Sequence, residues 1–202
     1  MRDLRDLPVK SLVMTIDGTE GPDVFNGGSG PDTYSGLGGR DTIRGGEGND
    51  LLSGGADDDN IDGQGGDDTV QGDGGNDVLV GGSGNDLIDG GAGDFDLASY
   101  GGAVSGVTVD LRITGPQAVG GGLGIDTLVN VERLSGSFFN DTLIGNEGHN
   151  GFTGGQGDDR IDGQGRRRQQ QQLLRPDGRR RHRWRGGDRL YRAERRHQRR
   201  QR

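Results

Sequence analysis

The sequence predicts an all-β chain in which short strands stack into a parallel coil. Three observations predict this fold: 45 of the 202 residues are Gly, only 27% are hydrophobic, and a nine-residue period runs from residue 18 to residue 89. Apolar content this low is typical of a disordered chain unless a repeat or a ligand supplies the missing stabilisation. Gly at two of nine positions would cost a helix about 1 kcal/mol each. The period therefore favours turns and short strands.

Eight consecutive nonapeptides run from Gly18 to Asp89. Position one is Gly in all eight, position four is Gly except at Asp57, and position six is always Asp. Glycines at positions one and four allow a positive φ in the turns, and positions seven to nine are long enough for a minimal strand. Position eight is always apolar and predicts the core: Phe25, Tyr34, Ile43, Leu52, Ile61, Val70, Leu79 and Ile88.

The aspartates at position six are predicted to line two edges of the coil. If one turn of the coil takes two repeats, residues 18 apart stack directly. One edge then carries Asp23, Asp41, Asp59 and Asp77, and the other carries Asp32, Asp50, Asp68 and Asp86. Carboxylates stacked about 4.7 Å apart repel one another strongly unless a cation lies between them.

The available ligands decide which cation suits these edges. They are Asp carboxylates and turn carbonyls, with no Cys and no regularly placed His. Ca²⁺ accepts irregular cages of oxygen ligands, whereas Mg²⁺ demands tighter octahedral geometry and retains its waters. The pairs 18 apart predict about six calcium sites. The strict phase over eight copies favours calcium ligation over a solvated acidic face.

The motif Gly-Gly-x-Gly-x-Asp-x-apolar-x resembles the RTX, or haemolysin-type, calcium-binding repeat. The resemblance implies a right-handed parallel β-roll loaded with calcium, in which the two Asp edges supply side-chain ligands and turn carbonyls around Gly18 to Gly84 complete the shells. In the ninth repeat, position six is Phe95, between Asp94 and Asp96, and Leu97 is in phase. We expect the row of ligands to end there.

Residues 99–135 leave the nine-residue period. Apolar residues here alternate with polar neighbours, which predicts a half-buried strand in a hairpin or a cap across the roll. The alternating residues are Val107, Val109, Leu111 and Ile113. A glycine-rich pattern returns in GGLGIDTLVN, which contains Asp126. This segment is therefore predicted to be a strand-rich insert.

A second, shorter set of repeats follows the insert. Asp141 and Asp159 are again 18 apart and complete the predicted calcium ligands, whereas Asn150 replaces Asp in the copy between them. The stretch DTLVNVERLSGSFFNDTLIGN also resembles the segment that commonly leads into a further RTX block. The predicted organisation is a lead-in over 1–17, a first roll block over 18–98, the insert over 99–135, a second roll block over 136–165 and a tail over 166–202.

The Arg- and Gln-rich tail from Arg166 interrupts the repeat in mid-motif. Residues 166–202 contain 16 Arg against 3 acidic residues, whereas residues 1–165 contain 8 basic against 29 acidic residues. We expect this tail to be disordered, and we hypothesise that it is RTX coding sequence read out of frame, because Gly codons GGC shifted by one base read as CGG, which encodes Arg. The nucleotide sequence tests the hypothesis, since the alternative frame after Gly165 must then encode further GGxGxD repeats.

An Arg-rich tail with a Trp and a Tyr is also typical of binding to phosphates or anionic surfaces. No specific nucleic-acid partner is predicted. The family generally uses an uncleaved C-terminal signal for type I secretion, so the resemblance implies an extracellular protein, although this tail is unlike such a signal. The segment from Met1 to Thr15 has too few consecutive apolar residues for a signal peptide or a membrane span.

The predicted function is calcium binding coupled to the folding of a secreted-type module, with calcium ions as the partners. The sequence contains no HExxH, GxSxG or Walker-type motif, so no enzymatic activity is predicted. Two alternatives stay open. One is a carbohydrate- or surface-binding module, which needs an exposed row of basic or aromatic residues, with Arg40, Arg44, Tyr34 and Tyr100 as candidates. The other is the C-terminal remnant of a larger secreted RTX enzyme or toxin.

Overall fold

A computed structural model describes residues 15–163, and this part of the chain consists of strands and turns without any helix. The strands wind into a parallel β-solenoid of about eight turns. The predictions for the tail, both its disorder and the reading-frame hypothesis, lie outside the described residues. Within residues 15–163 there is no helix that could cross a membrane.

The strands are short and follow one another at the period of the repeats. In chain order they are β1 (Thr15–Asp17), β2 (Val24–Asn26), β3 (Thr33–Ser35), β4 (Thr42–Glu47), β5 (Leu51–Ala56), β6 (Asn60–Gly65), β7 (Thr69–Gly74), β8 (Val78–Ser83), β9 (Leu87–Asp89), β10 (Leu97–Ser99), β11 (Thr108–Asp110), β12 (Gln117–Ala118), β13 (Ile125–Val129), β14 (Arg133–Ser135), β15 (Thr142–Ile144), β16 (Gly151–Thr153) and β17 (Arg160–Asp162).

Successive strands alternate between two walls of the solenoid. The odd wall contains β1-β3-β5-β7-β9-β13 and the even wall contains β2-β4-β6-β8-β10-β14-β16, in which neighbours pair in parallel. In the even wall Ile43 pairs with Ile61, and in the odd wall Leu52 pairs with Val70. Partners are thus 18 residues apart, which confirms that one turn takes two repeats.

A single file of apolar side chains fills the space between the walls. All eight position-eight residues are at most 5% exposed, and Leu52, Ile61, Val70 and Leu79 are fully buried. At the N-terminal end the rings of Phe25 and Tyr34 stack with centroids 4.4 Å apart. The predicted core is therefore confirmed, and each coil contributes two large side chains to it.

The central strands are longer than the predicted three residues. β4 to β8 each span six residues, because pairing with the neighbouring coil continues through positions one to three of the next repeat. The Glu47 N–H, at position three, donates to the Gly28 carbonyl at 2.9 Å. The ladder of main-chain hydrogen bonds therefore continues past the apolar residue and into the glycine-rich part of the motif.

The turns need a positive φ at positions two and four rather than at positions one and four. Gly46, at position two, has φ 107°, and Gly48, at position four, has φ 126°. Residues other than Gly adopt the same region where they occupy these positions, as Leu37 does at 72° and Asp57 at 78°. Position one does not adopt a positive φ in these repeats, so its requirement for Gly has a different cause.

The ninth repeat carries one extra residue before its strand. Ala98, not Leu97, is the fully buried residue of β10, and it pairs with Leu79, 19 residues earlier. The expected phase of Leu97 is therefore wrong. The extra residue is accommodated in the turn, where Phe95 points outward and is 55% exposed.

The insert is a hairpin built into the wall rather than a cap across the roll. β12 pairs with β13 in the antiparallel direction, and the Thr108 N–H, in β11, donates to the Val119 carbonyl at 2.8 Å. β11 then pairs in parallel with β15, which pairs with β17. Through β13 the hairpin joins β9 of the first set of repeats. Through β11 it joins the sheet of β15 and β17 in the second set.

The alternating segment of the insert forms a shorter strand than predicted. Val107 and Val109 are buried in the core, but β11 ends at Asp110 and Ile113 is 42% exposed. The Asp110 carboxylate accepts hydrogen bonds from the N–H and the guanidinium of Arg112, which turns the chain away from the wall. The polar residue after the strand thus ends the alternation.

Two adjacent leucines give a test of the single-file core. Leu52→Ala is expected to lower the free energy of unfolding by about 2–5 kcal/mol, because it leaves a cavity between the walls. Leu51→Ala is the matched control and is expected to cost less than about 0.5 kcal/mol, because Leu51 is 44% exposed. Denaturant unfolding of both variants in saturating calcium measures the difference. Equal losses would contradict the proposed division between buried and exposed positions.

Candidate metal centre

The position-six aspartates line the two edges of the solenoid, as the period predicts. From Asp41 to Asp86, the carboxylate of each aspartate lies next to the main chain of the preceding coil on the same edge. The Asp41 N–H donates to Asp59 Oδ1 at 2.8 Å, and the Asp50 N–H donates to Asp68 Oδ1 at the same distance. The same bond recurs from Asp23 to Asp41, Asp32 to Asp50, Asp59 to Asp77 and Asp68 to Asp86.

The second carboxylate oxygen has no hydrogen-bond partner along the middle of both edges. This is true of Oδ2 in Asp41, Asp50, Asp59, Asp68, Asp77 and Asp86, and each of these atoms is buried. A buried carboxylate oxygen without a partner is costly, because it loses its water and gains nothing in return. These six oxygens therefore lack a partner that would compensate for their lost hydration.

The first glycine of each repeat makes room for this oxygen. A Cβ on Gly36 would overlap both Asp41 Oδ2 and the carbonyl oxygen of Gly54, and a Cβ on Gly45 would overlap both Asp50 Oδ2 and the carbonyl oxygen of Gly63. The same pair of atoms, the carboxylate of the repeat and the first-glycine carbonyl of the next coil, surrounds every first glycine from Gly18 to Gly72. Position one is thus Gly because two oxygen atoms occupy the space of a side chain.

These oxygens fit a hard divalent cation. No three acidic or His side chains within residues 15–163 converge closely enough to hold a metal by themselves. Carboxylates and turn carbonyls together form the donor set, which is the set that Ca²⁺ prefers. The ion pairs Arg40–Asp58 and Arg112–Asp110 lie elsewhere and do not reach the two edges.

Burial raises the pKa of the aspartates in the middle of the edges. Their desolvation, together with repulsion from neighbouring carboxylates, raises the pKa of Asp59 and Asp68 to about 7 and that of Asp77 to about 6, although a main-chain N–H opposes the shift in each. Burial also raises the pKa of Asp41, Asp50 and Asp86. The metal-free edges therefore resist carrying their full charge at neutral pH.

The remaining predicted ligands lie in different surroundings. Oδ2 of Asp23, Asp32 and Asp141 accepts a main-chain N–H from its own turn, donated by Thr19, Gly28 and Ser137 respectively. Asp141 is buried and its N–H donates to Asp159 Oδ1 at 3.1 Å, whereas Asp23 and Asp159 are half-buried. The structure thus brings Asp141 and Asp159 together as predicted. Unlike the aspartates in the middle of the edges, Asp141 has hydrogen-bond partners for both oxygens, since its Oδ1 accepts from the Val107 N–H and the Ser137 hydroxyl.

The rows of acidic residues continue past the first eight repeats, which corrects the expectation that they end at Phe95. Asp96 is fully buried, and its Oδ1 accepts the Asp77 N–H at 2.9 Å. Asp126 is also buried and accepts the Asp86 N–H through Oδ1 at 3.2 Å. The period missed both residues because they are 19 and 40 residues from their partners. The motif GGLGID before Asp126 was the signal that could have identified the second one.

Position five carries a separate ladder on the surface. Asn85 donates its N–H and its side-chain Nδ2 to Asp67 Oδ1, and the Asp67 N–H donates to Asn49 Oδ1. On the other edge Asn76 donates to Asp58 Oδ1, and these bonds, helped by Arg40, lower the pKa of Asp58. These exposed acidic residues hold neighbouring coils in register and lie outside the two buried edges.

Comparison with protein families identifies the repeats. The family model of the RTX calcium-binding nonapeptide repeat matches four stretches, residues 15–43, 35–70, 62–94 and 131–165, which together cover more than half of the chain. The chain belongs to the RTX calcium-binding repeat family. RTX nonapeptide repeats bind Ca²⁺, so this is a calcium-binding protein with the β-roll fold. A search of curated protein sequences gives no match.

The RTX roll buries two of the residues considered for a carbohydrate-binding row. Tyr34 belongs to the core file and Tyr100 packs beside it, and both are less than 5% exposed. Arg40 pairs with Asp58 at 2.6 Å, and Arg44 lies beside Asn26 with an Nη1–Oδ1 distance of 3.4 Å. The two tyrosines therefore cannot contribute to an exposed row of aromatic residues, because their rings are buried in the core.

Acidification is expected to favour the metal-free RTX roll. The pKa of Asp59 and Asp68 is about 7 in the fold, against an ordinary value of 3.8. A carboxyl whose pKa is higher in the folded state than in the unfolded state destabilises the fold at any pH above the folded-state pKa. This cost disappears as the pH falls from about 7, the folded-state pKa, towards about 4, the unfolded-state pKa. In EDTA, lowering the pH from 8 to 5 is thus expected to increase β-structure, measured by circular dichroism.

The same protons compete with calcium. The apparent calcium affinity is expected to fall by about tenfold per pH unit for each proton displaced, once the pH is below the pKa. Calcium titrations at pH 8, 7 and 6 measure this. Less β-structure at pH 5 than at pH 8 in EDTA, together with a pH-independent affinity, would contradict the assignment of high pKa values to these carboxyls.

A methyl group at position one is expected to obstruct the ligand oxygens. Gly45→Ala places its Cβ on Asp50 Oδ2 and the Gly63 carbonyl, so we expect calcium binding to weaken by tenfold or more in the affected turn. Gly74→Ala is the matched control, because the nearest atom to its Cβ is 3.6 Å away and its φ is not positive. Calorimetric calcium titration compares the two variants, and equal affinities would exclude this role for the first glycine.

Proposed function

We propose that the two buried edges hold calcium ions and that this binding folds the roll. The proposed ligands are the position-six aspartates of both sets of repeats: Asp23, Asp32, Asp41, Asp50, Asp59, Asp68, Asp77, Asp86, Asp141 and Asp159. The observation that carries the proposal is that six buried Oδ2 atoms, three on each edge, have no hydrogen-bond partner. Each lies against a first glycine, and from Asp41 to Asp77 the first-glycine carbonyl of the next coil lies there as well.

Each site is formed by two successive coils. In the turn that begins at Gly36, Asp41 presents Oδ2 and the next coil presents the carbonyl of Gly54. The N–H of Asp41 holds the carboxylate of Asp59 through Oδ1, so the carboxylates of both coils are oriented before a ligand arrives. Bound calcium neutralises the negative charge of the carboxylates. The chain itself contributes the spacing and orientation of the donors.

The acidic residues of the repeats oppose folding when no cation is bound. Residues 1–165 contain 29 acidic against 8 basic residues, and the fold buries a row of carboxylates on each edge. Burying ionised carboxylates side by side costs free energy through lost hydration and mutual repulsion. Ligand binding to the folded state alone shifts the equilibrium towards that state. We therefore infer that the chain is expanded at low calcium and folded when the edges are neutralised.

Coupling of this kind fits a module that folds outside the cell. RTX repeats are typical of secreted proteins. Extracellular calcium modules operate with dissociation constants of about 0.1 to 1 mM, far above cytosolic calcium. We infer that the chain is a secreted-type module whose roll forms on reaching millimolar calcium. An RTX roll is a calcium-binding structural repeat rather than a catalytic domain, and that the chain has no enzymatic activity stays a prediction.

Circular dichroism of the full chain tests the coupling directly. Addition of Ca²⁺ to protein prepared in EDTA is expected to convert a coil spectrum into a β spectrum cooperatively, and Mg²⁺ at the same concentration is expected to leave the coil spectrum unchanged. Removal of calcium with EDTA should reverse the change. A β spectrum that is independent of calcium would refute coupled folding, and an equal response to Mg²⁺ would refute the calcium preference.

Two adjacent aspartates separate ligation from general charge effects. Asp68→Asn removes the charge of a buried edge residue and is expected to raise the calcium midpoint of folding by at least about tenfold. Asp67→Asn removes the same charge on the surface and keeps the Oδ1 acceptor used by Asn85, so its midpoint should stay within about twofold. Similar shifts in both variants would mean that net charge, and not ligation at the edge, controls folding.

A further inference from the structure

The turn before β10 contains a buried carboxylate that no repeat accounts for. Asp96 is fully buried, its Oδ1 accepts the Asp77 N–H at 2.9 Å, and its Oδ2 has no hydrogen-bond partner. It lies between the matched stretches 62–94 and 131–165. The extra residue in the ninth repeat therefore shifts the sequence position of the acidic residue and leaves its place on the edge of the roll unchanged.

The insert supplies the oxygen that the next coil provides elsewhere. A Cβ on Gly90 would overlap the main-chain carbonyl oxygen of Asn130 and would lie 2.8 Å from Asp96 Oδ2. This is the arrangement found at Gly36, with Asp96 in the place of Asp41 and Asn130 in the place of Gly54. The Gly90 N–H donates to the Val129 carbonyl at 3.0 Å, just as the Gly36 N–H donates to the Ser53 carbonyl at 2.9 Å.

Asn130 is held in position by its own side chain. Its Nδ2 donates to Asp89 Oδ1 at 2.9 Å, and its φ is 50°, in the region that Asn tolerates better than most residues. The turn that follows is short, since only Val131 and Glu132 separate Asn130 from β14. The orientation of the Asn130 carbonyl is therefore determined by the side-chain hydrogen bond to Asp89, in the first set of repeats, and by this short turn.

Glu132 takes the place of the next position-six residue. Its Oε2 accepts the Asp96 N–H at 3.1 Å, which is the bond that Asp59 makes to Asp41. The shortened turn places the main chain differently from a regular repeat, and the longer side chain of Glu reaches the same N–H. A second carboxylate thus stands next to Asp96 on the same edge.

We propose that Asp96, the main-chain carbonyl of Asn130 and Glu132 form an additional calcium site that fastens the insert to the first set of repeats. The proposal rests on the proposed function, because it applies the same donor set to residues outside the repeats. The site joins parts of the chain 36 residues apart, through Asp96 and Glu132. Its occupation makes ordering of β13 and β14 dependent on calcium.

Three variants of the full chain test this site. Asp96→Asn removes the charge of the unpartnered carboxylate and keeps its shape, and Glu132→Gln does the same for the second carboxylate. Asp94→Asn is the matched control, because Asp94 is exposed in the same turn. Bound calcium is counted by equilibrium dialysis in saturating calcium. Calcium-dependent protection of main-chain amides is followed by hydrogen exchange.

We expect Asp96→Asn to bind about one calcium ion fewer per chain and to lose calcium-dependent protection in residues 125–135. Protection in residues 41–77 is expected to remain, and Asp94→Asn is expected to match the parent chain in both measurements. Glu132→Gln should raise by about tenfold the calcium concentration at which protection of residues 125–135 is half-maximal.

The outcomes separate this inference from the proposed function. A parent chain that binds no calcium overturns both. A parent chain that binds calcium, with unchanged stoichiometry and unchanged protection of residues 125–135 in Asp96→Asn, overturns the junction site alone. If Asp96→Asn shows no β spectrum in saturating calcium, Glu132→Gln decides, and a midpoint equal to that of the parent chain for residues 125–135 overturns the proposal.

Discussion

The hydrogen bond between each aspartate carboxylate and the main chain of the preceding coil organises this protein. It fixes the distance between coils, because Asp59 Oδ1 reaches the Asp41 N–H only when neighbouring strands pair in register. It also occupies one carboxylate oxygen and turns the other towards the first glycine of the same repeat. One contact thus connects the register of the walls, the requirement for glycine and the unpartnered oxygens that attract calcium.

The motif follows from this contact and from the narrow interior. The interior admits one apolar residue per repeat, so stability from burial is small for a chain of this length, and 27% hydrophobic residues are enough to fill it. The edges oppose folding, since their carboxylates are buried without a counter-charge. The metal-free roll is therefore held by a thin core and opposed by its own charges. A bound cation changes the sign of the second contribution.

The insert shows how such a roll tolerates an interruption. β12 joins the wall as an antiparallel strand, and β13 resumes parallel pairing with β9, so Leu128 pairs with Ile88 although 40 residues separate them. Ala98 continues the core file where a larger side chain stands in the regular repeats. Acidic residues continue as well, since Asp126 follows Asp86 and Glu132 follows Asp96. The pattern of buried apolar and acidic groups is therefore preserved across a break in the period.

The amino-acid sequence alone determined what repeats strictly every nine residues: the apolar file from Phe25 to Ile88, and one aspartate per repeat at a fixed distance from the apolar residue. Two repeats per coil followed from the sequence only as a condition, and strand pairing established it by placing residues 18 apart on top of one another. Tertiary structure decided the features without a period. Asp96 and Asp126 continue the rows through hydrogen bonds to residues that lie 19 and 40 positions earlier in the chain. These contacts depend on how the insert packs. Position one proved to need Gly for space rather than for φ, because the oxygens that fill that space come from the carboxylate five residues later and from the next coil.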